Sequence, residues 1–186
     1  LFQLDVLWNL DLTLQQYERI VEGKTASLFE ASCKTVGFLS GCDEKIVSLL
    51  GAFGKNVGFA FQIADDCLDY SSCENVVGKP VAHDLLEGKV TLPLIYSLQE
   101  QDSKLNQLVF NINETGQASD EEKKQLVHLV NSTGGVSRAL QKAQNYVDSA
   151  INCLEEIRNH IQNHAGYENA FHSLKNIANL AVNRKK

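Results

Sequence analysis

Between residues 42 and 70 the side chains Ile46, Leu49, Leu50, Phe53, Val57, Ala60, Phe61, Ala64 and Leu68 recur at steps of three and four. No other feature narrows the choice of fold as much, because that spacing draws one apolar stripe along a long helix. Asp43 stands where its carboxylate can cap the first unpaired backbone N–H groups. Gly51, Gly54 and Gly58 lie inside the helix, each at a cost of about 1 kcal/mol relative to Ala, which points to close approach by a neighbouring helix or a ligand.

Both prolines, Pro80 and Pro93, fall in one stretch, so the segments on either side can run as helices around one irregular functional loop. The periodicity predicts an earlier helix over 13–39, capped by Thr13 and closed near Gly41, and later helices over about 92–100, 120–131, 136–162 and 167–184. The stretches NINETGQASDEE and NSTGG read as polar connectors. Nothing alternates with the period of a strand, and no repeat or linker divides the chain. The expectation is an all-α helical bundle forming a single domain over 1–186.

Charge and cysteine usage exclude several function classes. A net charge of -6 leaves no Lys and Arg cluster to hold phosphate backbones, so no nucleic-acid partner is expected, and the basic end Arg184, Lys185 and Lys186 is too short to change that. No apolar run reaches the roughly 20 residues of a transmembrane helix, and no charged segment followed by an apolar one opens the chain, so a soluble protein without a transmembrane segment is expected. Cys33, Cys42, Cys67, Cys73 and Cys153 show neither zinc-site spacing nor an even-numbered disulfide framework. Free thiols in a reducing compartment, the cytoplasm or a mitochondrial or other organellar matrix, are the expectation.

The segment FQIADDCLDY places Asp65, Asp66 and Asp69 at the end of the apolar helix. Asp65 and Asp69 then lie about 40° apart around the axis and about 6 Å along it, so both carboxylates can face one point, with Gln62 one turn earlier on the same edge. Like charges so spaced repel, and oxygen-only donors suit a hard cation such as Mg²⁺ bridging to a phosphate. The spacing alone fits a solvated acidic helix end equally well. The residues just downstream separate the two: Gly78-Lys79, Asp84-Leu85 and the run GKVTLP from Gly88 bring Lys79 and Lys89 near the carboxylates. Charge developing on a diphosphate leaving group needs such cations and metals. Upstream, Lys24 and Thr25 sit in GKTASLFEASC among Ala26, Leu28 and Ala31, a setting in which a Lys more often snorkels to water than binds a ligand. His83 reads as a solvated loop histidine, and no Ser, Cys and His arrangement supports a nucleophilic triad.

Together and in this order, GKTASLFEASCK, GKNVGFAFQIADDCLDY and GKPVAHDLLEGKVTLPLI resemble the trans-prenyltransferase family, specifically the long-chain all-trans polyprenyl diphosphate synthases that make quinone side chains such as that of ubiquinone. The later helices, up to NLAVNRKK, fit the same pattern. The resemblance implies an isoprenoid-synthase-type helical bundle, of which this chain would be the C-terminal part. It implies Mg²⁺-dependent prenyl transfer, the head-to-tail condensation of isopentenyl diphosphate with an allylic diphosphate. FQxxDDxxD would be the second aspartate-rich motif, with Asp65, Asp66 and Asp69 on the metal side and Asp65 the direct ligand. Lys24, Lys79 and Lys89 would contact the diphosphate, while Thr25 and Gln62 would present oxygen dipoles to the allylic cation and assist positioning. The released diphosphate would accept the proton, and a homodimer or a heteromer with a related subunit is implied. The first aspartate-rich motif and the Arg-containing isopentenyl site belong upstream of Leu1, so this chain alone is expected not to complete the condensation.

Three other readings compete. A terpene cyclase would carry an Asn/Asp, Ser/Thr and Glu triad where this chain has the aspartate motif. A non-catalytic regulatory subunit tends to lose the metal aspartates, and all three are present here. A purely structural bundle would leave the clustered Lys and Asp as solvated residues.

Overall fold

Helices supply the regular structure of residues 2–70, 82–161 and 166–183, which the computed structural model describes, and no strand occurs among them. In chain order they are α1 (Phe2–Asp5), α2 (Leu14–Val21), a π-helical turn (Glu22–Ala26), α3 (Ser27–Leu39), α4 (Glu44–Leu68), α5 (His83–Leu86), α6 (Leu92–Leu98), α7 (Ser103–Thr115), α8 (Asp120–Ser132), α9 (Gly135–Ile161) and α10 (Tyr167–Val182). The all-α expectation holds. The chain gathers into two compact units, one of Leu1–Ile20 with Ile63–Gln141 and the other of Val21–Gln62 with Lys142–Lys186.

In the second of these, Phe53, Val57 and Ala60 of α4 form a core with Val147, Ala150, Leu154 and Ile157 of α9 and Phe171, Ala178 and Ala181 of α10. Asp43 caps α4 as expected, accepting the Ile46 N–H at 2.9 Å. The α4 glycines face α3 and the end of the π turn before it. A methyl on Gly58 would stand 2.7 Å from Ala26 Cα, and one on Gly54 would meet the Phe29 carbonyl oxygen, so the neighbour that needs them is a helix backbone. By length and composition alone, α4 is apolar enough to cross a membrane, which the reading of apolar runs did not find; 56% of its most apolar window is buried inside the fold, as in a core helix.

The other unit departs from the sequence reading. The connector expected over 111–122 is helical as far as Thr115, because Leu105, Leu108, Val109 and Ile112 form a buried i, i+3, i+4, i+7 stripe and Asp102 caps the helix by accepting from Lys104 N and Leu105 N, both at 2.9 Å. Gly116, at φ +64, ends α7, and a Ser119–Glu122 capping box starts α8. Asn131 of α8 donates its side-chain amide to the Tyr70 carbonyl at 2.9 Å, which fixes the chain just beyond the acidic end of α4. The expected helix over 13–39 is also interrupted, by the π turn.

Candidate functional site

The three aspartates at the end of α4 have unlike surroundings. Asp65 is exposed. Asp66 is 7% exposed and accepts the hydroxyl of Tyr17, itself 3% exposed, at 2.6 Å. Such a length suits a charged acceptor. Burial and then the Asp66 carboxylate hold the Tyr17 hydroxyl well above the usual phenol range, so Tyr17 stays a donor. Asp69 accepts the backbone N–H of His83 at 2.9 Å on one oxygen and that of Asp84 at 3.0 Å on the other. Burial, followed by the neighbouring Asp84 charge, raises the Asp69 carboxyl to about 6 in spite of those two N–H groups.

Beyond α5 the chain turns at Gly88, and Lys89 donates its backbone N–H to the Asp84 carbonyl at 2.8 Å. Its ammonium pairs with Glu87 and lies 3.8 Å from an Asp84 carboxylate oxygen. The hydrogen bond to Glu87 raises the Lys89 pKa, so the residue remains a cation at neutral pH. Lys79 lies outside the described residues, as do Pro80 and Cys73. His83 is half exposed, but it opens α5 rather than lying in a loop, and its ring nitrogen is 3.1 Å from Glu87. Its backbone N–H is what serves the acidic cluster.

In the other unit, Lys24 and Thr25 lie on the π turn, where Lys24 is exposed and Thr25 partly so. Turns of this kind inside α-helices are frequent at functional sites. The Thr25 hydroxyl donates to the side-chain carbonyl of Gln62 at 2.7 Å, and Gln62 is 6% exposed. The structure therefore brings together the two residues expected to present oxygen dipoles to the allylic cation.

Among the described residues no three His, Cys, Asp or Glu side chains are grouped to hold a metal. Tyr17 donates to the Asp66 carboxylate and the backbone N–H groups of His83 and Asp84 to that of Asp69; Asp65 is exposed. The side chains here are oxygen donors, and the Asp84 charge helps raise the Asp69 carboxyl, a donor chemistry that suits a hard divalent cation. Sequence reasoning missed Tyr17 and Glu87 as members of this cluster, and named Asp84 only as part of the downstream segment. Tyr17 reads as one more apolar position of a helix, and only the fold brings it to Asp66.

The family model described as polyprenyl synthetase matches residues 2–130. Heptaprenyl diphosphate synthase component 2 of Bacillus subtilis is 44% identical over 115 residues, which are 62% of this chain and 33% of that protein. The crystal structure of a decaprenyl diphosphate synthase from Rhodobacter capsulatus superimposes with a TM-score of 0.85 at 29% identity, over 100% of this chain and 55% of that one. The structure of a polyprenyl synthase from Caulobacter crescentus, complexed with calcium and isoprenyl diphosphate, gives a TM-score of 0.86 at 27% identity, over 100% of this chain and 54% of that one. The chain thus spans between a third and just over half of the length of these proteins.

Proposed function

Because this chain belongs to the polyprenyl synthetase family, we propose that it is the diphosphate-handling part of a long-chain all-trans polyprenyl diphosphate synthase, an Mg²⁺-dependent prenyltransferase that joins isopentenyl diphosphate head-to-tail to an allylic diphosphate. One observation carries the reading: the aspartates at the end of α4 differ, Asp66 and Asp69 being held by Tyr17 and by α5 while Asp65 is exposed. A solvated acidic helix end has no reason to tether two of its three carboxylates.

Asp65 is the direct metal ligand, and Asp66 and Asp69 complete the metal side of the motif. Mg²⁺, when bound, neutralises charge that develops on the departing diphosphate. Lys24, Lys79 and Lys89 bind the diphosphate oxygens. Thr25 gives its hydroxyl hydrogen to Gln62, and its remaining lone pairs face the electron-poor allylic carbon. Transfer then proceeds without a protein nucleophile. The product serves as a quinone side chain, and the enzyme works as a homodimer in a reducing compartment.

A second reading is favoured by the Bacillus subtilis relative, which is named as component 2 of its synthase. The chain would then act together with a related subunit. Incorporation of labelled isopentenyl diphosphate by the full-length protein tests both readings. Asp65→Asn should lower turnover on the order of 10²-fold while the melting temperature holds. Wild-type turnover in that variant would refute the metal role. Turnover that appears only on adding a second polypeptide would establish the heteromer.

A further inference from the structure

Trp8 and Gly88 both adopt left-handed backbone, at φ +63 and +76, and they do so against each other. For a bulky residue such as Trp this conformation is a genuine outlier, held only where surrounding contacts over-determine it. Two contacts do so here. The Trp8 backbone N–H donates to the Gly88 carbonyl at 2.7 Å. The indole covers the Gly88 Cα so closely that a Cβ there would stand 2.6 Å from ring atoms Cε2 and Nε1. Gly116, closing α7, lies near the far edge of the ring, where a Cβ would be 3.8 Å from Cη2.

The residue that leaves this clamp is Lys89. Its ammonium sits on a flexible four-carbon stem, so where it reaches depends on the direction in which its backbone departs. Gly88 is the most pliable residue in the turn, and left uncovered it would let that direction vary. With the indole seated on it, the Lys89 backbone N–H meets the Asp84 carbonyl at 2.8 Å and the ammonium lies on the side of Asp84 and Glu87. We propose that Trp8 is a positioning residue for Lys89, setting the turn from which this lysine presents its charge to a diphosphate. The proposal rests on the reading of Lys89 as a diphosphate contact.

Calorimetric titration of the full-length protein with inorganic pyrophosphate and Mg²⁺ tests it, on wild type, Trp8→Ala, Lys89→Ala and the double variant. Each single change should weaken binding by about three- to tenfold, and the double variant should bind no more weakly than Lys89→Ala alone. Trp8→Phe, which keeps an aromatic plate over Gly88, should bind within about twofold of wild type. A double variant weakened by the product of the two single factors overturns the proposal, since Trp8 then acts without Lys89. Wild-type binding by Lys89→Ala overturns the reading of Lys89 itself. Trp8 is the only tryptophan in the 186 residues, so full-length protein with any tryptophan outside them replaced by Phe and Trp8 itself intact keeps the test decisive even where Trp8→Ala does not fold. Mg²⁺ and pyrophosphate should shift its emission in wild type and leave it unchanged in Lys89→Ala. Unchanged emission in a wild-type chain that calorimetry shows to bind overturns the proposal.

Discussion

Replacing Gly54 by Ala tests how closely α3 and α4 approach. The added methyl would meet the carbonyl oxygen of Phe29 and stand 2.8 Å from Cys33 Sγ and 2.9 Å from the Phe29 carbonyl carbon, closer than real Cβ contacts. Two effects of opposite sign compete. Alanine inside a helix gains about 1 kcal/mol over glycine. Overpacking costs about 1 to 3 kcal/mol, and the obstacle here is backbone, so α3 itself must move and the upper end applies. The net expectation is a loss of about 2 kcal/mol. Two neighbours calibrate it. Gly23 has nothing within 4 Å of its Cβ position, so Gly23→Ala should show a propensity gain of up to about 1 kcal/mol. Gly51 meets only the Lys34 side chain, which can swing aside, so Gly51→Ala should be near neutral. Urea unfolding followed by circular dichroism, with midpoints compared at constant slope, measures all three. A Gly54→Ala variant as stable as Gly23→Ala would refute the packing argument.

Three other expectations rest on the same geometry. Tyr17→Phe leaves the buried Asp66 carboxylate without its 2.6 Å donor and should cost about 1.5 to 3 kcal/mol in denaturant unfolding, as hydrogen bonds to charged groups do; an unchanged midpoint would contradict that bond. Asp69 titrates near 6 in the fold, above its ordinary 3.8, so the folded state keeps a proton that the unfolded state releases between about pH 4 and 6, and stability falls as pH rises through that window. Partial exposure trims the effect to about 2 kcal/mol, read as wild type losing stability relative to Asp69→Asn across that range; parallel pH profiles would contradict it. Leu105 is fully buried in α7, so Leu105→Ala should cost about 2 to 5 kcal/mol, whereas Phe110→Ala, at an exposed position on the same helix, should cost little; equal effects would mean that α7 is not packed as described.

The helices legible in the sequence are those whose apolar period and caps agree. For α4 the stripe from Ile46 to Leu68 and the Asp43 cap gave boundaries within two residues, and α8, α9 and α10 obey the same logic. For α7 the two signals conflict: Asn106, Gln107 and Asn111 between Leu105 and Ile112 outweigh a stripe of only four buried residues, and the cap Asp102 comes after a run of polar residues that hides it. The π turn leaves no mark in hydrophobic period, because one extra residue in a single turn shifts the stripe by less than a helix face. The candidate site was legible as far as charge and spacing reach, in Asp65, Asp66, Asp69 and Lys89. The partners that distinguish one aspartate from another, Tyr17 and the backbone N–H groups of His83 and Asp84, come from residues 14 to 49 positions away and carry no local signal.

Thermal unfolding of the full-length protein with a bisphosphonate that mimics an allylic diphosphate, with and without Mg²⁺, tests the central claim most directly. Ligand at about 100 times its dissociation constant should stabilise the fold by about 2.7 kcal/mol. The account predicts that this shift requires Mg²⁺ and disappears in Asp65→Asn. An equal shift without Mg²⁺, or an undiminished one in Asp65→Asn, would contradict the assignment of the exposed aspartate of α4 as the metal ligand.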